Sequence, residues 1–187
     1  MRKMAAGVIF YRRDENNEIQ ILMIERSDYV GIAPAWAIPG GKLEEGETII
    51  EGMMRECEEE LGVSFDIIAP KDAISLIYKK DFPQLMKELD GWLFYYSIIE
   101  ANPVESFPGS DEGRVEWKSL SWIMSNMDQL TYPCWMSVAL RDLAVQLNYY
   151  YGSYYGIDKL MMHEPLVLSD AQTDAIKDRW MNMRGKG

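Results

Sequence analysis

The chain has 187 residues, 48% of them hydrophobic and 26% charged, and carries a formal net charge of −11. That length suits one domain able to bury its own core, and the mixture is that of a globular protein and not of a disordered one. The acidity argues against long nucleic acid as a partner, which would need a basic stripe. It leaves a small phosphate substrate open, because carboxylates that hold divalent cations become locally attractive to anions.

No apolar run approaches the roughly 20 residues of a membrane-spanning helix. The opening segment MRKMAAGVIFYRRDENN breaks at Arg12-Arg13 and reads as a first strand, so no membrane association and a cytoplasmic location are expected. Two cysteines, Cys57 and Cys134, and one histidine, His163, exclude a disulfide framework, a four-cysteine zinc site and histidine-based triads. The chemistry must run on carboxylates.

In chain order, Ala5–Tyr11 and Glu18–Glu25 are β-prone runs on either side of Asp14-Glu15-Asn16-Asn17, which predicts a hairpin or adjacent strand pair. Trp36–Ile38 reads as a short strand stopped by Pro39-Gly40-Gly41. Thr48–Leu61 reads as a helix, with Thr48 and Glu51 as a capping box and Gly62 as the stop. Ala73–Tyr78 and Gly91–Glu100 are further expected strands, Asn102–Gly113 a loop, Arg114–Trp117 a short strand and Tyr132–Leu147 a helix. Mixed strands around two helices predict an α/β or α+β sandwich. Residues 1–147 form the expected main domain. Residues 148–187 are an extension whose tyrosines at 149–155 pack on the same domain, stack on a nucleobase or make a subunit contact in a homodimer.

The informative segment is Gly41–Val63, GKLEEGETIIEGMMRECEEELGV. Glu56, Glu59 and Glu60 stand at i, i+3 and i+4, so their carboxylates share one helix face. Like charges so close repel unless a cation compensates, and a cluster of hard oxygen donors suits Mg²⁺ or Mn²⁺. Arg55 lies four residues from both Glu51 and Glu59 and can brace the acids, with Glu47 a second natural partner. Ile49, Ile50, Met53, Met54, Cys57 and Leu61 supply the expected packing face. Gly40 and Gly41 allow a tight turn that can aim a bare carbonyl at a metal. Seven fixed identities at fixed spacing should arise by chance less than about once in ten million windows.

This segment resembles the Nudix box of the Nudix hydrolase family at Gly41, Glu47, Arg55, Glu56, Glu59, Glu60, Gly62 and Val63. Cys57 departs from it, standing where the family usually has a larger aliphatic side chain. With strand order included, the likeness covers roughly residues 4–145. The resemblance implies an α/β/α sandwich with a mixed β-sheet and Mg²⁺- or Mn²⁺-dependent hydrolysis of a nucleoside diphosphate linked to another moiety. It implies Glu56, Glu59, Glu60 and the Gly40 carbonyl as metal ligands, Glu47 and Arg55 as a bracing pair, and Glu56 or Glu59 as the base or its orienting group. A further carboxylate is implied from a later loop, with Glu112 as first choice and Glu116 as second. The partner would be a nucleotide-derived small molecule. Tyr78 lies near the position where members acting on dinucleoside polyphosphates carry a tyrosine, and it also fits as a strand-end aromatic. No asparagine appears around Tyr132–Met136, where the branch acting on oxidised guanine nucleotides reads the base, and the zinc-containing NADH-cleaving subgroup is excluded by its need for four cysteines. The competing reading is a catalytically silent Nudix module that binds or senses a nucleotide.

Overall fold

The first strand, β1 (Lys3–Arg13), turns into β2 (Ile19–Arg26) through the acidic tetrapeptide expected to reverse the chain. The Asp14 carboxylate accepts the backbone N–H of Asn16 at 2.9 Å and of Glu18 at 2.8 Å, and Asn17 takes a left-handed φ of 63°. Short polar side chains favour such turns because they satisfy the backbone locally. The resulting antiparallel register pairs Tyr11 with Ile21 and Arg13 with Ile19.

The computed structural model describes residues 2–26, 35–81, 92–104, 106–110, 113–131 and 133–151. After β2 come β3 (Ala35–Ala37), β4 (Gly40–Lys42), α1 (Ile49–Leu61), α2 (Phe65–Ile68) and β5 (Tyr78–Asp81). These are followed by β6 (Trp92–Glu100), β7 (Gly113–Ser119), α3 (Leu120–Ser125), a 3₁₀ turn at Met127–Gln129 and α4 (Pro133–Tyr151). Among the described residues the strands form one mixed sheet in the order β3-β2-β1-β6-β5, with β4 added to β1 and β7 to β2. The β1–β6 pair is parallel, from Lys3 opposite Trp92 to Tyr11 opposite Glu100.

Alternation along the central strands feeds two apolar layers. Ala6, Val8 and Phe10 of β1 meet Met53, Cys57 and Leu61 of α1 on one face. Ile9 and Tyr11 of β1 meet Leu120 and Ile123 of α3 and Leu140, Leu143 and Leu147 of α4 on the other. Both faces being covered explains why β1 reads as a continuous apolar run. The architecture is the α/β/α sandwich expected, and no helix of the described residues is long and apolar enough to cross a membrane.

Three expectations need correction. The strand expected at Ala73–Tyr78 begins only at Tyr78, which pairs with Tyr96. The preceding chain closes on itself, with the Ser75 N–H donating to the Ala73 carbonyl at 3.0 Å and the Ser97 hydroxyl to the Leu76 carbonyl at 2.9 Å. Its apolar residues imitate a strand, yet Leu76 stays 52% exposed. Ile50, expected in the packing face of α1, is 43% exposed, because it sits in the first turn on the side away from the sheet. The helix expected at Tyr132–Leu147 starts at Pro133 and runs on through Tyr151, so the first tyrosines of the 149–155 segment continue it. The rest of that segment and His163 lie outside the described residues.

Candidate active site

Helix α1 is fixed at both ends by its own sequence. The Thr48 hydroxyl accepts the Glu51 N–H at 3.2 Å while the Glu51 carboxylate accepts the Thr48 N–H at 2.8 Å, the reciprocal capping box. At the other end Gly62 takes a left-handed φ of 69°, where a Cβ would lie 2.6 Å from the Gly109 carbonyl oxygen, and its N–H donates to the Glu58 carbonyl at 3.0 Å. Met53, Cys57 and Leu61 anchor the helix to the sheet, at about 1.5–3 kcal/mol for each large side chain withdrawn from water. Burial drives the Cys57 thiol well above its ordinary value, with further contributions from Glu60 and Glu56, so it stays an un-ionised packing group.

With the helix fixed, its acids gather beside the glycine turn. The Arg55 guanidinium lies at their centre. It donates to Glu47 from Nε at 2.8 Å and from Nη2 at 3.0 Å, a bidentate fork. Nη2 also donates to the Lys42 carbonyl at 3.1 Å, and Nη1 donates to Glu56 at 2.9 Å and to Glu59 at 3.3 Å. The hydrogen bond from Arg55, followed by the Glu44 N–H at 2.9 Å, holds the Glu47 carboxyl below the usual carboxylate range. In return, chiefly through Glu47, the guanidinium is held still further above its already high value.

Glu60 is different in kind. Its side chain is 5% exposed, whereas that of Glu59 is 62% exposed. A buried carboxylate must be compensated. Here Oε2 accepts the Gly40 N–H at 2.7 Å and Oε1 lies 3.8 Å from Nη2 of Arg26. Glu60 thus ties the start of β4 and the end of β2 to the acid face of the helix. Glu56 is seated closely as well, because a Cβ on Gly41 would lie 2.3 Å from its Oε2. A side chain at 41 would therefore require the Glu56 carboxylate to shift.

The structure links Glu47, Glu56 and Glu59 through Arg55, and joins Glu60 of the same helix to the Gly40 N–H. It does not pair Arg55 with Glu51, whose carboxylate is committed to the helix cap. Glu112 lies outside the described residues. Glu116, the second choice, is engaged by Lys118 at 2.6 Å and Arg114 at 2.9 Å. Its neighbours in β7, Val115 and Trp117, pack in the α1 layer, so alternation turns Glu116 toward the opposite face of the sheet. Tyr78 is committed inside the molecule, its ring stacked on Tyr96 at 5.1 Å and its hydroxyl donating to Gln146 at 3.2 Å. Arg26 is the site residue that sequence reasoning missed, since nothing in Glu25-Arg26-Ser27 says that β2 ends beside Glu60.

Among the described residues, four carboxylates, those of Glu47, Glu56, Glu59 and Glu60, face the guanidiniums of Arg55 and Arg26, a surplus of acid over base within that set. The donors are hard oxygens on a rigid element, which fit Mg²⁺ or Mn²⁺ and not a soft metal. Among the described residues no three such side chains converge on one point. Nη1 of Arg55 lies between Glu56 and Glu59 and supplies part of the compensation that the spacing had assigned to a metal.

A mixed sheet between helical layers, with an acid-bearing helix tied to the start of β4 on one face, places the chain in the α/β class. The NUDIX domain pattern matches residues 1–133, and the chain belongs to the Nudix family. It is 32% identical over 120 residues to an 8-oxo-dGTP diphosphatase of Escherichia coli (strain K12), covering 63% of this chain and 80% of that protein. It is 26% identical over 129 residues to a nudix hydrolase of Caenorhabditis elegans, covering 68% of this chain. It spans 31% of the length of that relative. The fold is similar to that of a C. elegans Ap4A hydrolase solved as a binary complex, with a TM-score of 0.60 at 20% identity over 79% of this chain and 99% of that one.

Proposed function

We propose that this protein hydrolyses a diphosphate bond in a nucleoside diphosphate linked to another moiety, with Mg²⁺ or Mn²⁺, releasing a nucleoside monophosphate-type product. The observation that carries this reading is the group of four carboxylates, among the described residues, held around Arg55 and Arg26 on and beside one face of α1. The similarity to a diphosphatase that acts on a nucleotide supports the substrate class.

Glu56, Glu59 and Glu60, with the Gly40 carbonyl, would hold the divalent cation, and Glu112 is the proposed later-loop carboxylate. When bound, the cation supplies charge neutralisation for the diphosphate and a lower pKa for the attacking water. The protein's own part is positioning and proton transfer. Glu47 fixes Arg55, and Arg55 fixes Glu56 against Gly41. Glu60 holds the turn at Gly40. Glu59, the most exposed of the acids, or Glu56 would take the proton from water or orient the group that does. No covalent intermediate with the protein is needed.

The test is a product screen with Mg²⁺ or Mn²⁺ at mildly alkaline pH against nucleoside triphosphates, ADP-ribose, dinucleoside polyphosphates and nucleotide sugars. Glu59→Gln is the control, and it should lower turnover by orders of magnitude while leaving the melting temperature unchanged or higher, because one repelling charge is gone. Equal turnover in that variant refutes the role given to Glu59. Retained ligand binding with no turnover across the panel would favour a silent, nucleotide-sensing module instead.

A further inference from the structure

Arg55 makes two kinds of contact, and they differ in what they restrain. Through Nε and Nη2 it grips Glu47 and the Lys42 carbonyl, which belong to the loop and to β4. Through Nη1 it reaches Glu56 and Glu59, which belong to its own helix. The first set braces the loop on the helix. The second draws together the two carboxylates assigned above to a cation, and puts a positive nitrogen between them. Two cations cannot share that position, because like charges a few ångströms apart repel strongly where water is partly excluded.

We infer that Arg55 is the resident counter-cation of the acid cluster, and that a divalent ion enters by displacing Nη1 from Glu59 and Glu56 while the fork to Glu47 stays closed. The inference rests on the cation-dependent reading of this site. The geometry indicates the order of events. The Glu59 contact is the longer, at 3.3 Å, and its side chain is 62% exposed, so it opens first. The Glu56 contact is shorter, at 2.9 Å, and this carboxylate is 15% exposed and lies against Gly41. Glu60 needs no such release from Arg55, since its oxygens are held by the Gly40 N–H and faced by Arg26. Glu47 is then more than a brace. By holding the fork it limits how far the guanidinium can lean into the cluster.

This differs in sign from bracing alone. If Arg55 only orients the acids, its removal weakens metal binding. If it also occupies the cluster, its removal strengthens binding, since a competitor leaves and the negative surplus grows by one charge. The experiment is a titration of free Mn²⁺ by electron paramagnetic resonance against the wild-type protein, Arg55→Gln and Glu47→Gln, each checked by thermal melting. The expected result is a Kd for Mn²⁺ at least about threefold lower in Arg55→Gln and at least about threefold higher in Glu47→Gln, where a negative charge and the anchor of Arg55 are both lost. A Kd in Arg55→Gln that is equal to or above the wild-type value overturns the displacement. If Arg55→Gln proves unfolded, an unchanged or tighter Kd in Glu47→Gln overturns it instead. A wild-type protein that binds no Mn²⁺ removes the cation-dependent reading and this inference with it.

Discussion

Two of the polar networks among the described residues lie on opposite faces of the sheet, and they differ in charge balance. On the α4 face the Tyr96 hydroxyl donates to Asp142, Lys80 pairs with Asp142 at 3.1 Å, and Gln146 links the Tyr78 hydroxyl to the Ile98 carbonyl at 3.2 and 3.1 Å. One carboxylate meets one ammonium, and the rings stack at 5.1 Å over a buried core. On the α1 face, among the described residues, four carboxylates meet two guanidiniums, and the most exposed acid, Glu59, faces water. A balanced network satisfies its groups and stabilises a fold. A network left with surplus charge costs the fold something, and such departures concentrate where a ligand completes the account.

The comparison breaks most sharply at Gly41. Gly41→Ala adds a single methyl group, yet that carbon would lie within 2.6 Å of both Glu56 oxygens. Glu56 must move, and the contact from Arg55 moves with it. We expect a loss of at least about tenfold in kcat/KM, equivalent to ~1.4 kcal/mol of transition-state stabilisation. The same variant should weaken Mn²⁺ binding, measured by titration, with little change in the far-ultraviolet circular dichroism. Unaltered kinetics would mean that the position of Glu56 is irrelevant, and the α1 network would then be structural like its counterpart.

The α1 side of this contrast was legible beforehand. The i, i+3, i+4 spacing placed Glu56, Glu59 and Glu60 on one face, and Thr48 with Glu51 and Gly62 marked the helix ends to within one residue. Helical spacing is a local property, so sequence carries it directly. It could not say which oxygen faces which nitrogen. That Arg55 grips Glu47 and not Glu51 depends on how the loop at Glu44–Glu47 folds back, and that Arg26 faces Glu60 depends on where β2 ends. Strand β4 was missed because Gly40-Gly41-Lys42 carries no apolar pattern, its pairing with Ala5–Gly7 being wholly backbone. The α4-face network was missed entirely, since Tyr96 and Asp142 are joined only by the tertiary fold.

The second break falls on that balanced network. Tyr96→Phe removes a buried hydroxyl and leaves Asp142 with Lys80, so stability should fall by about 1–3 kcal/mol in urea denaturation while the metal-dependent turnover stays unchanged. The pH dependence carries the same distinction. Burial first, then Asp142, raises the Tyr96 phenol above its ordinary value of 10.0. The folded state keeps this proton where the unfolded chain releases it. The contribution is therefore whole below about pH 10 and declines as pH rises beyond it. In Tyr96→Phe the alkaline loss of stability should be shallower than in the wild type. An equally steep alkaline limb would show that another group governs it, and a fall in turnover would show that the two faces are coupled.

The smallest effect is expected at the boundary between helix cap and acid cluster. Thr48 immediately follows Glu47, and its hydroxyl closes the first turn by accepting the Glu51 N–H at 3.2 Å. Thr48→Ala should lower stability by about 1 kcal/mol, the usual worth of an exposed N-cap. Its effect on the site should be slight, because Glu47 is held independently by Arg55 at 2.8 and 3.0 Å and by the Glu44 N–H at 2.9 Å. A Kd for Mn²⁺ within about twofold of the wild type is expected from so small a perturbation. A larger change would mean that the first turn, and not the Arg55 fork, sets the position of Glu47. In that case the surplus charge of the α1 face is maintained by local helix chemistry, and the contrast with the tertiary network on the α4 face becomes one of origin as well as of balance.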